Sequence, residues 1–408
     1  MSAPWESVRL RDTDAVEIIL GQSPPSGTYN GEGLGLPFYQ GKADFGARYP
    51  CPRVWCRRPS KIALKGDVLV SVRAPVGDVN IASEECAIGR GLAAVRPCGI
   101  DGGFLYYALL CAKPRLAAMG TGSTFKAVNR ACLESLSILA PVERSEQRQI
   151  ATFLHQLQRA IEIEERRAEL LAKLKSATAA KLFREGLRGE PLKETEIGQL
   201  PASWTVEPLE KLARIASGAT PSKSTESFWA GAIPWASPKD MKLIHLRDTI
   251  DHISAEALNE CLLVPEKTIF IVVRGMVLAK DVPIAMADVP MAFNQDMKAI
   301  LPHAKVNPHY LLHAMISRKS SLKAEIGTSA HGTRRLGGSS IARLMMPVAQ
   351  GHVEQREIAA ALDALDRLEA ISRSKREGLT RLFSASLERL MTGELRLPRL
   401  ETKEASHA

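Results

Sequence analysis

The side chains able to do chemistry are scattered along this 408-residue chain and fall into no catalytic pattern. Among the nine histidines, His309 and His313 sit in PHYLLHAM, a stretch of helical character, and read as packing or surface groups. His331 falls in a small-residue loop, where an imidazole can meet a ligand. Cys51 and Cys56 lie five apart with no second pair at metal-ligand spacing, and the cysteine total of seven is odd. Reduced packing residues are therefore expected, with neither a disulfide framework nor a zinc site. GEGLGLP imitates a dinucleotide fingerprint, but it lies in a Pro/Gly-rich loop with no helix after it. A GxxxxGK[ST] loop is missing, which disfavours ATP hydrolysis, and so are HExxH and GxSxG. A base methyltransferase would need a Gly-rich turn after a strand and an Asn/Asp-Pro-Pro-aromatic segment, and neither occurs. The expectation is a non-catalytic chain with no cofactor and no metal.

Whatever these side chains do, a duplication positions them. EQRQIATFLHQLQR, starting at Glu146, returns as EQREIAAALDALDR at Glu354, with eight of fourteen positions identical at an offset of 208. The same offset carries Ile163 onto Ile371, Leu174 onto Leu382 and Leu182 onto Leu390. A period near half the chain means a two-fold build and not a solenoid. Ile150, Leu154, Leu157, Ile161, Ala168, Leu171, Leu174, Thr178 and Leu182 recur at steps of three and four, the mark of an amphipathic helix. Gly186 with Pro191, and Gly393 with Pro398, are stop signals. About forty residues make a rod of about 60 Å. Its single apolar stripe wants a partner, and the other copy is the simplest one. The polar midsections EIEERR and SRSKRE suggest loose packing there, or a face left for another subunit.

Between the rods lie two mixed segments that run in the same order: an opening strand, a turn-rich loop, a strand pair, another strand, a helix and an exit strand. In the first copy the strand pair is KGDVLVSVRAPVGDVNIA, the next strand is GLAAVRP, and one helix is expected from about Gly103 to Met119. Their loops keep the small residues and change the functional groups, as in YQGKAD against WASPKD. Divergent loops on a duplicated scaffold suggest recognition of two different surfaces. Lys plus Arg exceed Asp plus Glu by 16 to 13 in residues 1–143 and by 17 to 13 in 200–350, within a net charge of +9. That excess is compatible with a polyanion partner. No apolar run approaches a membrane span and no signal peptide opens the chain, so a cytoplasmic protein is expected.

Two variable segments, each followed by a long helix opening on PVERSEQRQIATFL or PVAQGHVEQREIAAAL, resemble the specificity subunit of type I restriction-modification systems. The SGATPS loop with FWAGAIPW after it, and the Gly-Thr loops at Gly120 and Gly327, add to the likeness. LGQSPPSG in the first segment departs from the SGATPS form. The resemblance implies an α+β fold, with two mixed α/β target-recognition domains in pseudo-two-fold arrangement, separated by two long helices forming an antiparallel coiled coil. The expected division is a first target-recognition domain at 1–143, a spacer helix at 144–190, a second domain at 191–350, a second spacer helix at 351–400 and a disordered tail at 401–408. It further implies a phage-defence role as a DNA-binding subunit that has no active site of its own and reads double-stranded DNA in two unlike halves. Two modification subunits would methylate adenine using S-adenosylmethionine, and translocase-nuclease restriction subunits would join them. A related system with a fused methylase-nuclease partner, or a coiled-coil scaffold that binds no DNA, are the alternatives.

Major-groove reading uses Arg or Lys on guanine and Asn or Gln on adenine. On that basis the first domain offers Gln40, Lys42, Arg73, Arg90, Ser123, Thr124 and Lys126. The second offers Thr220, Ser222, Lys223, Ser237, Lys239, Arg274, Asn294, Gln295, His331, Thr333, Arg334 and Arg335. Any of them could instead be a phosphate contact, which positions without specifying. Arg73 and Arg274 could equally be structural partners of Asp78 and Asp281. Glu146, Gln147 and Arg148, with Glu354, Gln355 and Arg356, are expected to cap the helices or meet the modification subunit.

Overall fold

The computed structural model describes residues 4–120, 127–328 and 332–398. The chain forms two compact units, one of residues 1–164 and 375–408, the other of residues 165–374. The cuts fall inside the two long helices, Arg144–Glu185 and His352–Met391, so each unit owns a stretch of both. Gly186 and Gly393 follow the helix ends with φ of +62° and +74°, the left-handed conformation that ends a helix and suits glycine. No helix among the described residues is long and apolar enough to cross a membrane.

In the first unit, Val68–Ser71 is buried along its whole length and pairs antiparallel with Leu92–Pro97 and Val79–Ile81. Val16–Leu20 completes this four-stranded sheet. A second sheet contains a parallel pair, Leu36–Tyr39 beside Cys86–Ile88. Trp5–Arg9 pairs with the exit strand Ser137–Pro141, which holds the two ends of the domain together. The second unit repeats the plan. Ile269–Val272, equally buried, lies between Met297–Pro302 and Ile284–Ala287, and Ala213–Ser217 stands at the edge. Ile233–Ala236 runs parallel to Ala292–Phe293, and Thr205–Pro208 pairs with Met345–Val348. Continuous apolar runs such as VLVS and IFIV are what strands covered on both faces require.

The helix expected over 103–119 is two helices, Gly102–Cys111 and Lys113–Met119. The break falls at Ala112, just before Pro114, which supplies no backbone N–H and suits only the first turn of a new helix. Asp101 caps the first of these by accepting from Phe104 N at 3.0 Å. Asn307 caps its counterpart Pro308–Ser317 by accepting from Tyr310 N, also at 3.0 Å.

The repeated Glu-Gln pair bolts each domain to its long helix, a role beyond the capping or docking expected of it. Gln147, 4% exposed, accepts from Asp101 N at 2.7 Å and donates to Pro141 O at 2.7 Å. Gln355, 2% exposed, accepts from Asn307 N at 2.8 Å and donates to Ala349 O at 3.1 Å. Glu146 accepts from Trp5 Nε1, and Glu354 accepts from Trp204 Nε1 and from Leu187 N. Ile150, Leu154, Leu390 and Met391 then enter the first unit's core, as Phe183, Ile358 and Leu362 enter the second's.

Within each unit the two helix stretches run antiparallel. In the first, Glu164 meets Lys375 at 2.6 Å while Leu390 shares a core with Ile150 and Leu154. In the second, Lys175 pairs with Asp366 and, further along, Arg188 meets Glu357 at 2.9 Å. Within the polar midsections Glu164 is 3% exposed and Ser372 is fully buried, while Ile163, Glu165, Arg166 and Arg167 stand exposed. Leu174, expected on the buried stripe, is 52% exposed. Its neighbour Lys175 turns inward instead and pairs with Asp366.

Candidate nucleic-acid interface

In the second unit a cleft of about 990 Å³ gathers seven of the residues singled out from the sequence. Thr220, Lys223, Ser237, Lys239, Arg274, Asn294 and Gln295 line it. They come from four loops between Thr220 and Gln295, and the parallel pair Ile233–Ala236 and Ala292–Phe293 sets the Ser237 loop beside the Asn294 loop. Asn294 N donates to Ala236 O at 3.0 Å, extending that pairing into the loops. Asp240 Oδ2 accepts from both Ser237 N and Ser237 Oγ at 2.8 Å, forming the turn that presents Lys239. Asn294 and Ser237 are themselves buried, so they shape the floor while Lys223, Lys239, Arg274 and Gln295 stand exposed. Asn294 Oδ1 accepts from Asp296 N at 3.1 Å, and Thr220 Oγ1 donates to Gln295 Oε1.

Arg274 lies at the end of Ile269–Val272 with its guanidinium 3.8 Å from Asp296 Oδ1. It does not pair with Asp281, which is held by Lys319 at 2.9 Å and Lys323 at 3.6 Å. The backbone of Arg274 bridges that of Arg335, and Gly275 N donates to Arg334 O at 3.1 Å. The antiparallel pair of Ile326–Thr328 and Arg334–Leu336 thus sets two further arginines, Arg334 and Arg335, beside the cleft. Arg334 Nη1 donates to Thr328 Oγ1 at 2.7 Å. Ser222 lies outside the cleft lining, its N–H bonded to Glu260 Oε2 at 2.8 Å, and Thr333 is likewise outside. His331 falls outside the described residues.

Sequence reasoning missed several lining groups. Trp229 and Trp235 meet edge-on at 5.1 Å and form a wall of the cleft. The indole N–H groups anchor to Ser222 O and Ala219 O, both at 3.1 Å. FWAGAIPW was the available signal. Met276, 68% exposed on a short 3-10 turn, and the acids Glu226, Asp251 and Asp296 also line the cleft. Donors, acceptors, cations and an apolar probe therefore share one open surface, the set needed to read base edges.

The first unit places its candidates on the equivalent loops. Asp44 Oδ2 accepts from Gln40 N at 2.7 Å and Gly41 N at 3.3 Å, making the same turn as Asp240. Lys42, one residue before the position that Lys239 takes in the second unit's turn, is 3.0 Å from Asp78 Oδ2, while Lys113 Nζ is 2.5 Å from Asp78 Oδ1. Burial alone would raise the Asp78 carboxyl, but these two ammonium groups outweigh it and hold it below the ordinary aspartate range. Asp78 is thus the partner of lysines and not of Arg73, which is exposed and forms a backbone bridge to Ala127. Arg90 is exposed, with its N–H 3.3 Å from Ser23 Oγ. Ser123, Thr124 and Lys126 lie outside the described residues.

The family model described as type I restriction modification DNA specificity domain matches residues 58–173 and 201–381. The protein named as the type I restriction enzyme MjaX specificity subunit of Methanocaldococcus jannaschii is 45% identical over 174 residues, covering 42% of this chain and 40% of that protein. The EcoR124I/EcoR124II specificity subunit of Escherichia coli is 33% identical over 176 residues, covering 42% of this chain and 43% of its own. The matched stretch thus spans less than half the length of these relatives. Among solved structures, the type I restriction-modification S subunit from M. genitalium matches with a TM-score of 0.68 at 17% identity, over 98% of this chain and 97% of that one. A chain from a structure on complex assembly and conformational transition of the type I R-M system matches with a TM-score of 0.56 at 18% identity. With the family model matching both copies of the repeat, the chain belongs to the family of type I restriction-modification DNA specificity proteins.

Proposed function

We propose that this chain is the DNA-reading subunit of a type I restriction-modification complex, with each unit recognising one part of a split target. The observation that carries this is the convergence of cationic, amide and hydroxyl side chains in the second unit's cleft. Their loops are rigidly mounted by backbone pairing, which reading base edges requires. Arg334 and Arg335 extend the cationic surface toward the flanking phosphates. The chain itself does no chemistry. It hands a bound duplex to modification subunits, which supply the S-adenosylmethionine-dependent methyl transfer, and to restriction subunits.

Partner docking finds support on the long helices. Ile163 and its repeat equivalent Ile371 are 60% and 58% exposed, and Leu174 and Leu382 are 52% and 49% exposed. Each unit presents one residue of each pair. Matched apolar exposure at equivalent positions suits two copies of one partner.

The test is DNA binding by the complex assembled with its modification subunit, measured against salt. R274A should weaken specific binding by about 1–3 kcal/mol. K239A, if Lys239 meets a phosphate, should reduce the log–log salt slope by about one. Affinity and slope unchanged in both variants would refute the cleft as the reading surface.

A further inference from the structure

On the second unit, away from the cleft, three elements bring two imidazoles and a carboxylate together. His245 lies on the strand His245–Leu246, His309 in the first turn of Pro308–Ser317, and Asp363 on the second long helix. One ligand atom from each lies within 4.8 Å of the others. His309 Nδ1 is 2.9 Å from Asp363 Oδ2 yet buried without the alignment of a hydrogen bond. The His245 and His309 rings are 5.9 Å apart between centroids.

Groups behind the triad orient it. His245 Nδ1 is 2.8 Å from Asp288 Oδ1, which fixes the ring and leaves Nε2 as the remaining donor. Asp363 Oδ1 is 2.7 Å from His313 Nε2, and His313 is almost wholly buried, so the other carboxylate oxygen is turned toward His309. A carboxylate behind a histidine and a fixed carboxylate are the outer supports that metal ligands need. A cleft of about 390 Å³, lined by His309, Asp288, Arg247 and Lys267 among others, gives access from solvent. Tetrahedral ligands at zinc-like bond lengths stand about 3.4 Å apart, so small side-chain rotations would close the triad on an ion.

We propose that His245, His309 and Asp363 form a site for one divalent transition ion of the zinc class, pinning the second long helix to the sheet and helix of this unit. Two imidazoles and one carboxylate favour zinc, cobalt or nickel over magnesium or calcium, and they leave a coordination position open toward the cleft. The role is a structural staple, separate from DNA reading.

The test titrates Co²⁺ into the metal-stripped full chain and follows the visible d–d bands, with Zn²⁺ as competitor. One equivalent should bind without thiolate charge-transfer absorption, which would mark exposed Cys51 or Cys98 instead. H309Q and D363N should each weaken binding at least about ten-fold, while H252Q, at a half-buried histidine of the same unit outside the triad, should leave it unchanged. Should both ligand variants misfold, protection of His245 and His309 in the unaltered chain from diethyl pyrocarbonate by Zn²⁺ decides the matter. Absence of binding, binding through thiolate, affinity unaffected by H309Q, or no protection would each overturn the site and leave an ion-pair cluster.

Discussion

Asp78 and Asp281 occupy equivalent places in the two units and are held by equivalent lysines, Lys113 and Lys319. Both carboxyls lie below the ordinary range because, although burial would raise them, the ammonium groups beside them outweigh it. The sign follows directly: a depressed carboxyl contributes stability above its unfolded pKa and loses it as pH falls through the folded one. Melting temperature should therefore drop below about pH 4, and D78N together with D281N should flatten that acid limb while lowering stability at neutral pH. Thermal melts from neutral to acid pH check this, and an unchanged limb would mean that other groups govern acid unfolding. These lysines also explain why Arg73 and Arg274 are left to solvent and to the cleft. Sequence could offer only proximity in the chain, RAPVGD, as a hint of pairing, and the true partners lie 35 and 38 residues on, across a helix.

At the scale of elements, strand order, the duplicated sheet plan and the helix ends at Gly186 and Gly393 were legible, since apolar runs and left-handed glycines are local signals. The two-helix break at Ala112 was signalled by Pro114 but overridden by the apolar run around it. The roles of Gln147 and Gln355 were not legible, because each bonds a backbone N–H 46 or 48 residues away. Nor was the Glu164–Lys375 pair, whose partners belong to different helices. In the cleft the loop residues were legible as chemistry, while Trp229 and Met276 carried no polar group that would mark them as base readers. Q147A and Q355A each strand a buried N–H at a helix start and should cost about 1–3 kcal/mol. Denaturant midpoints check this, and a neutral outcome for either would show that the repeated Gln is not the bolt. I163D with I371D should abolish association with the modification subunit and leave far-ultraviolet circular dichroism unchanged, because both side chains stand in solvent. Retained association would move the docking face elsewhere.

For the whole molecule, duplication supplies two scaffolds of one topology, and divergence of their loops supplies two different surfaces. Lys42 tied to Asp78 in the first unit and Lys239 lining a cleft in the second show how one turn takes two tasks. Under the proposed function, the two surfaces read two unlike sequences independently. The direct measurement is co-expression with a modification subunit and genome-wide mapping of methylated adenines, before and after residues 200–350 are replaced by the equivalent piece of a relative. A split motif in which one part changes and the other persists is the predicted result. A single contiguous motif, or change in both parts, would contradict it.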